Sequence, residues 1–180
     1  MFGNHSCFSE WNRLSKLVIL AVASLTLPSA VEPSSSFRDR ILVAHNFERD
    51  LHGVEPMQWD AGLARGAQAY ARHLANTGKF EHSADAPHSA PVGENLWRGT
   101  AGAFEPERML QLWIAEKEYF VAGRFPATST TGNAADVSHF TQVVWRDSRR
   151  VGCAVATGGG KDVLVCRYSS AGNIIGRKVF

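Results

Sequence analysis

From Phe37 onward the apolar residues recur at helical spacing, and only in the last third of the chain does the period change. Ile41, Ala44, Phe47 and Leu51 follow one another three or four residues apart until Gly53 stops the pattern, which predicts a first helix over Phe37 to His52. Asp60 is placed to cap a second helix on which Leu63, Ala67, Tyr70 and Leu74 share one face, with Gly78 as its stop. From Glu81 to Ala103 the periodicity disappears, which predicts a long irregular stretch of the kind that tends to carry function. Pro106 suits the first turn of a third helix with Met109, Leu110, Trp113, Ile114 and Phe120 as its apolar stripe, and Gly123 to Val137 reads as irregular again. Phe140 to Trp145, Val151 to Ala156 and Val163 to Tyr168 are rich in Val and aromatic residues at period two and predict three strands. Gly158-Gly159-Gly160 marks a hairpin between the last two. Helices followed by a strand meander predict an α+β protein with helices packed on an antiparallel sheet.

The first thirty residues follow another pattern. A polar stretch with Arg13 and Lys16 precedes the eleven-residue apolar run Leu17 to Leu27, and Pro28, Ser29 and Ala30 follow. This is the layout of a secretory signal peptide over residues 1–30, without the usual A-x-A cleavage pattern. As a helix the run rises about 16 Å, well short of the ~30 Å hydrocarbon core, so a spanning anchor is the weaker reading. Cleavage would remove Glu10, Arg13 and Lys16, leaving 17 of 19 basic and 16 of 17 acidic residues in a nearly balanced mature chain. No basic field argues for nucleic acid. Cleavage would also remove Cys7, and Cys153 and Cys166 would be the remaining thiols, on two predicted neighbouring strands. In an exported chain they favour one disulfide, which contributes about 3 kcal/mol in the chain-entropy model; the alternative is a buried free pair.

The compact catalytic motifs are absent: there is no HExxH, no CxxC pair, no GxSxG and no GxxxxGK[ST]. That leaves histidines as raw material. His45, His52 and His73 lie on predicted helices, His82 and His88 in the long irregular stretch, and His139 where irregular chain becomes strand, and composition alone does not choose among them.

Four segments taken together do. Ser138-His139-Phe140-Thr141-Gln142-Val143-Val144-Trp145 resembles the first signature of the CAP superfamily, or SCP domain, which groups cysteine-rich secretory proteins, antigen 5 and class 1 plant pathogenesis-related proteins. Val163 to Tyr168 with Gly172-Asn173 resembles its second signature, Gly93-Glu94-Asn95-Leu96 a third, and His45-Asn46 with Arg49 its opening helix. Trp113 with Glu116, and Glu81-His82-Ser83, also fall where the family pattern expects them. Ser170 stands where the second signature usually has proline, and Ser138 where glycine is commoner before the histidine. The resemblance covers about residues 37–180.

It implies an α-β-α sandwich around a central antiparallel sheet, a secreted location (periplasmic in a bacterium), and a cleft gathering His82, Glu94, Glu116 and His139. Imidazoles suit Zn2+, and carboxylates either ligate it or orient the imidazoles. The alternative is a hydrogen-bonded polar cluster without metal. Glu118 would project from a different helix face and reads as solvated; Trp113 and Trp145 read as core or cleft-wall aromatics, and Tyr168 as packing on the sheet. Three functional classes follow: a binder of a small ligand such as a sterol or fatty acid, with or without metal; a metal-dependent hydrolase with Glu94 or Glu116 as general base; or an extracellular protein acting on a protein partner. The mature chain is expected to carry no membrane span.

Overall fold

The computed structural model describes residues 36–84 and 92–180. The expected signal peptide, Cys7 and His88 lie outside them.

Helix α1, Phe37–Leu51, is capped by Ser36, whose hydroxyl accepts from the Asp39 amide at 3.2 Å. A two-residue strand β1, Gln58–Trp59, leads into α2, Ala61–Thr77. As the sequence predicts, Asp60 caps α2 by accepting from the amides of Gly62 and Leu63, and Gly78 ends it in the left-handed conformation at φ 69°. Strand β2, Gly93–Thr100, and helix α3, Pro106–Ile114, follow. A 3-10 turn over Ala115–Tyr119 extends α3, and a second over Ala134–Val137 precedes the short helix α4, Ser138–Val143. The hairpin of β3, Arg150–Gly158, and β4, Lys161–Ser169, turns through Gly159 and Gly160, both at positive φ, the conformation a two-residue type I′ turn requires.

The sheet runs β1-β3-β4-β2. Its three long strands are antiparallel, as expected, but β1 lies parallel to β3 at the edge, so the sheet is mixed. Side chains of β4 alternate between two cores. Val163 and Val165 meet Ala67, Ala71 and Leu74 of α2 on one face, while Leu164, Cys166 and Tyr168 meet Ile41, Leu110, Trp113 and Phe140 on the other. That is an α-β-α sandwich. Close approach of α2 to β3 depends on Gly152, where an added Cβ would sit 2.2 Å from the Ala64 nitrogen. Cys153 and Cys166 are register partners on β3 and β4 and are joined by a disulfide. Trp113, Trp145 and Tyr168 are all core residues.

Four local expectations are corrected. Phe140 to Trp145 is not a strand: Phe140 to Val143 belongs to α4, and every residue from Phe140 to Trp145 is buried, so a segment enclosed on all sides shows no one-sided period to read. Glu81 to Ala103 is not irregular throughout, because it contains β2, whose Glu94, Asn95 and Arg98 break the apolar run. The third helix ends at Ile114 and tightens into the 3-10 turn before Phe120. On α1 the apolar spacing also misleads: Ile41, His45, Glu48 and Arg49 are buried, whereas Phe47 and Leu51 are exposed.

Candidate functional site

His82, Glu94, Glu116 and His139 come from four places: the segment after α2, strand β2, the 3-10 turn after α3, and the first turn of α4. The fold joins them as two imidazole–carboxylate pairs. In the first, Glu94 accepts on Oε1 from the Ser83 amide at 2.9 Å, and the same oxygen lies 3.0 Å from His82 Nδ1. Its Oε2 accepts from Ser83 Oγ at 2.8 Å and from Arg167 Nη2 at 3.3 Å. The Glu94 side chain is 7% exposed. Burial alone would raise its pKa, but the hydrogen bonds from His82 and Ser83, with the Arg167 charge, outweigh it and hold the carboxyl below its ordinary value. The same hydrogen bond raises the pKa of His82.

In the second pair, Glu116 Oε1 lies 2.6 Å from His139 Nδ1, and Oε2 accepts from the backbone amides of His139 and Phe140 at 2.9 and 3.1 Å. Glu116 therefore caps α4, whose own N-cap residue, Val137, has no side-chain acceptor to offer. The His139 ring stacks on Trp113 with 5.8 Å between centroids and 9° between planes. Lys117, next to Glu116 on the same turn, reaches the other way, to Glu48 of α1, with Nζ at 3.1 Å from both oxygens.

A buried relay links the elements that carry the two pairs. The Tyr168 hydroxyl is 3.0 Å from His45 Nε2, and Asn95 Nδ2 donates to it and to the His139 carbonyl. His45 Nδ1 lies 2.9 Å from the Ile41 carbonyl. Burial pushes the His45 pKa down to about 4, so its ring is neutral, and burial raises that of Tyr168.

The sequence does not by itself mark Ser83, Arg167 and Asn95 as site residues. Ser83 and Asn95 sit beside His82 and Glu94, and Arg167 lies within the quoted second signature, so adjacency was the available signal. Among the described residues no group of three or more His, Cys, Asp or Glu side chains is arranged to hold a metal ion. The two rings, each fixed through Nδ1, have the carboxylate-buttressed form that orients a metal-binding imidazole. Both carboxylates are committed to hydrogen bonds, so the donor set reduces to two Nε2 atoms.

A second feature lies on the outer side of α1. A groove of about 490 Å³ runs between α1 and α3, with Val43, Ala44, Phe47 and Ile114 on its apolar walls. Val43 and Phe47 are 67% and 66% exposed. Ion pairs bracket it: Arg40 with Glu105 and Glu107 at one end, Lys117 with Glu48 at the other. Arg40 and Glu48 are eight positions apart on α1, about 12 Å of helix.

The profile of the family described as "CAP: Cysteine-rich secretory protein family" matches residues 42–168. Pathogenesis-related protein 1B of Nicotiana tabacum is 37% identical over 77% of this chain and 78% of its own. Pathogenesis-related protein 1 of Arabidopsis thaliana is 33% identical over 96% of this chain and 99% of its own. Among solved structures, that of NaASP2 with Zn2+ superposes with a TM-score of 0.68 at 23% identity, covering 81% of this chain and 86% of the other, which shows the shared fold.

Proposed function

We propose, from the premise that the chain belongs to the cysteine-rich secretory protein (CAP) family, that it is a secreted binding protein whose α1–α3 groove takes up a small amphipathic lipid such as a sterol or a fatty acid. The observation that carries this reading is the groove itself: Val43 and Phe47 stand open to water on its wall, and covering such side chains fully gains about 1.5–3 kcal/mol each. The brackets favour a neutral head. Arg40 and Lys117 are already held by carboxylates, so an incoming fatty-acid carboxylate must displace one of them, while a sterol hydroxyl displaces nothing. Secretion is supported by the expected leader over residues 1–30, the disulfide and the family's description. No helix among the described residues is long and apolar enough to cross a membrane.

Native mass spectrometry of protein collected from its own secretion medium tests the reading. A co-purifying lipid is expected, released by Phe47→Ser together with Ile114→Ser, which should weaken sterol binding at least about tenfold. Sterol affinity unchanged by the pair of substitutions would overturn it.

Zinc on His82 and His139 is a second reading, favoured by the two carboxylate-held rings. When bound, the ion would supply an electrophilic centre with open positions for water or an exogenous ligand. The chain's own contribution is orientation, since Glu94 and Glu116 fix the rings through Nδ1 and leave Nε2 as the donor. Titration calorimetry should show zinc affinity falling as the pH is lowered and His82, its pKa raised by Glu94, protonates, and falling about tenfold in His139→Ala. Hydrolysis is less well supported: both oxygens of Glu94 and of Glu116 already accept hydrogen bonds, and Glu94 also faces Arg167, so neither is poised as a free base.

A further inference from the structure

The most exposed large apolar side chain among the described residues lies on the segment between β4 and the C-terminal residues. Ile175 is 80% exposed and its neighbour Ile174 46%. Ile174 to Arg177 forms a tight turn, closed by the Arg177 amide donating to the Ile174 carbonyl at 3.0 Å, with Gly176 at φ 79°. A positive φ at the third residue is the requirement of a type II turn, and it puts Ile175 at the tip. Turn positions are dominated by Gly, Pro, Asn, Asp and Ser, so adjacent isoleucines there need a reason.

The tip is anchored on both sides. Asn173 accepts from Thr141 Oγ1 at 2.6 Å and donates to the Ser138 carbonyl at 2.9 Å. The Gly176 amide donates to the Phe125 carbonyl at 2.7 Å, and Arg124 Nη1 donates to the Gly176 carbonyl at 2.8 Å. The apolar side chains are thus presented on a fixed scaffold and would lose little freedom on docking.

The same contacts gather positive charge. The backbones of Arg124 and Lys178 pair in an isolated antiparallel β-bridge, and the Arg146 amide donates to the Val179 carbonyl, which brings Arg146 beside the segment that carries Arg177. All four cations are exposed, and Asp147, 3.2 Å from Arg177, is the one carboxylate paired with any of them among the described residues. The whole chain has a formal charge of only +2, so four cations around two isoleucines are a local concentration.

We propose that this edge docks onto an anionic lipid surface, with Ile174 and Ile175 entering the interface and Arg124, Arg146, Arg177 and Lys178 facing the headgroups. Neither half suffices alone. A small apolar anchor binds a bilayer only marginally, and a few surface cations bind weakly at physiological salt, whereas the two together give stable association. A nucleic acid or free phosphate would leave the isoleucines unexplained, and an apolar protein pocket would leave the cations so. The proposal is independent of what the α1–α3 groove holds.

Co-sedimentation of the secreted, disulfide-bonded protein tests it, with vesicles of mixed phosphatidylserine and phosphatidylcholine beside vesicles of phosphatidylcholine alone. Binding to the mixed vesicles, weakening as salt is raised, is the expected result. Ile174→Ser with Ile175→Ser should cut it at least about tenfold, and Lys178→Gln about fivefold. Ile175→Trp, at a site open enough to leave folding unchanged, should show a blue-shifted emission on the mixed vesicles only. Equal sedimentation with both vesicle types, no sedimentation, or binding that survives loss of the isoleucines with no Trp shift would each overturn the proposal.

Discussion

On the side of α1 that faces the sheet, His45, Glu48 and Arg49 are buried, and each makes hydrogen bonds; on the opposite side Val43, Phe47 and Leu51 stand 59–67% exposed. The inner face is held by directed contacts. Arg49 donates to the carbonyls of Glu55, Val143, Trp145 and Ser148, tying α1 to the end of α4 and the turn that leads to β3, with no carboxylate among these partners. Burial, with Arg149 nearby, pushes its pKa down to about 10, which still leaves it charged at neutral pH. The outer face makes the wall of the groove. A helix pinned by saturated polar groups does not need its apolar stripe for folding, and the stripe is then free to meet a ligand.

The contrast is broken hardest at Arg49. Arg49→Met should remove about 4 kcal/mol, because the carbonyls of Val143, Trp145 and Ser148 lose a buried donor that water cannot replace. Urea unfolding at pH 7 measures it, and a loss below about 1 kcal/mol would mean that the inner face is not held this way. The next effect is on His45. Its folded-state pKa of about 4 lies below the ordinary 6.5, so the unfolded chain binds the extra proton. Its share of stability is therefore complete above pH 6.5 and lost as pH falls toward 4, about 3 kcal/mol in all. The stability gap between the parent and His45→Gln should shrink by roughly that amount over this window. A gap that stays constant with pH would contradict a neutral buried ring. Phe47→Ser should do least to the fold, shifting stability by no more than about 0.5 kcal/mol while weakening uptake of a lipid probe. A loss of 2 kcal/mol or more would show the outer face to be core after all.

The same inversion limits what the sequence reveals. The caps of α2, the β3–β4 hairpin and the cysteine pair were legible, because each depends on local chemistry: a carboxylate at Asp60, positive φ at Gly78, Gly159 and Gly160, and alternation along Val163 to Tyr168. Spacing along α1 also announced a helix, but Phe47 and Leu51 look like core residues when only their period is seen. Strand β2 was hidden by its own duties, since Glu94 turns to His82, Ser83 and Arg167, and Asn95 to Tyr168 and the His139 carbonyl. The parallel edge strand β1, two residues long, carries too little pattern to detect. The four residues of the two pairs are legible through the family signatures rather than spacing, because elements far apart in sequence deliver them. Glu116 and His139, in contact at 2.6 Å, are 23 positions apart.

The 3-10 turn after α3 carries Glu116 and Lys117 as consecutive residues, one gripping the start of α4 beneath His139 and the other gripping α1 at the end of the groove. No chain separates the two grips, so there is no slack between them. An insertion or deletion within Ala115–Tyr119 would pull at least one out of register, and a substitution that tilts the turn displaces both anchors by comparable distances. The Glu116–His139 pair and the groove are therefore mechanically one heirloom: descendants of this sequence can exchange the surroundings of either freely, but must inherit this hinge pin whole.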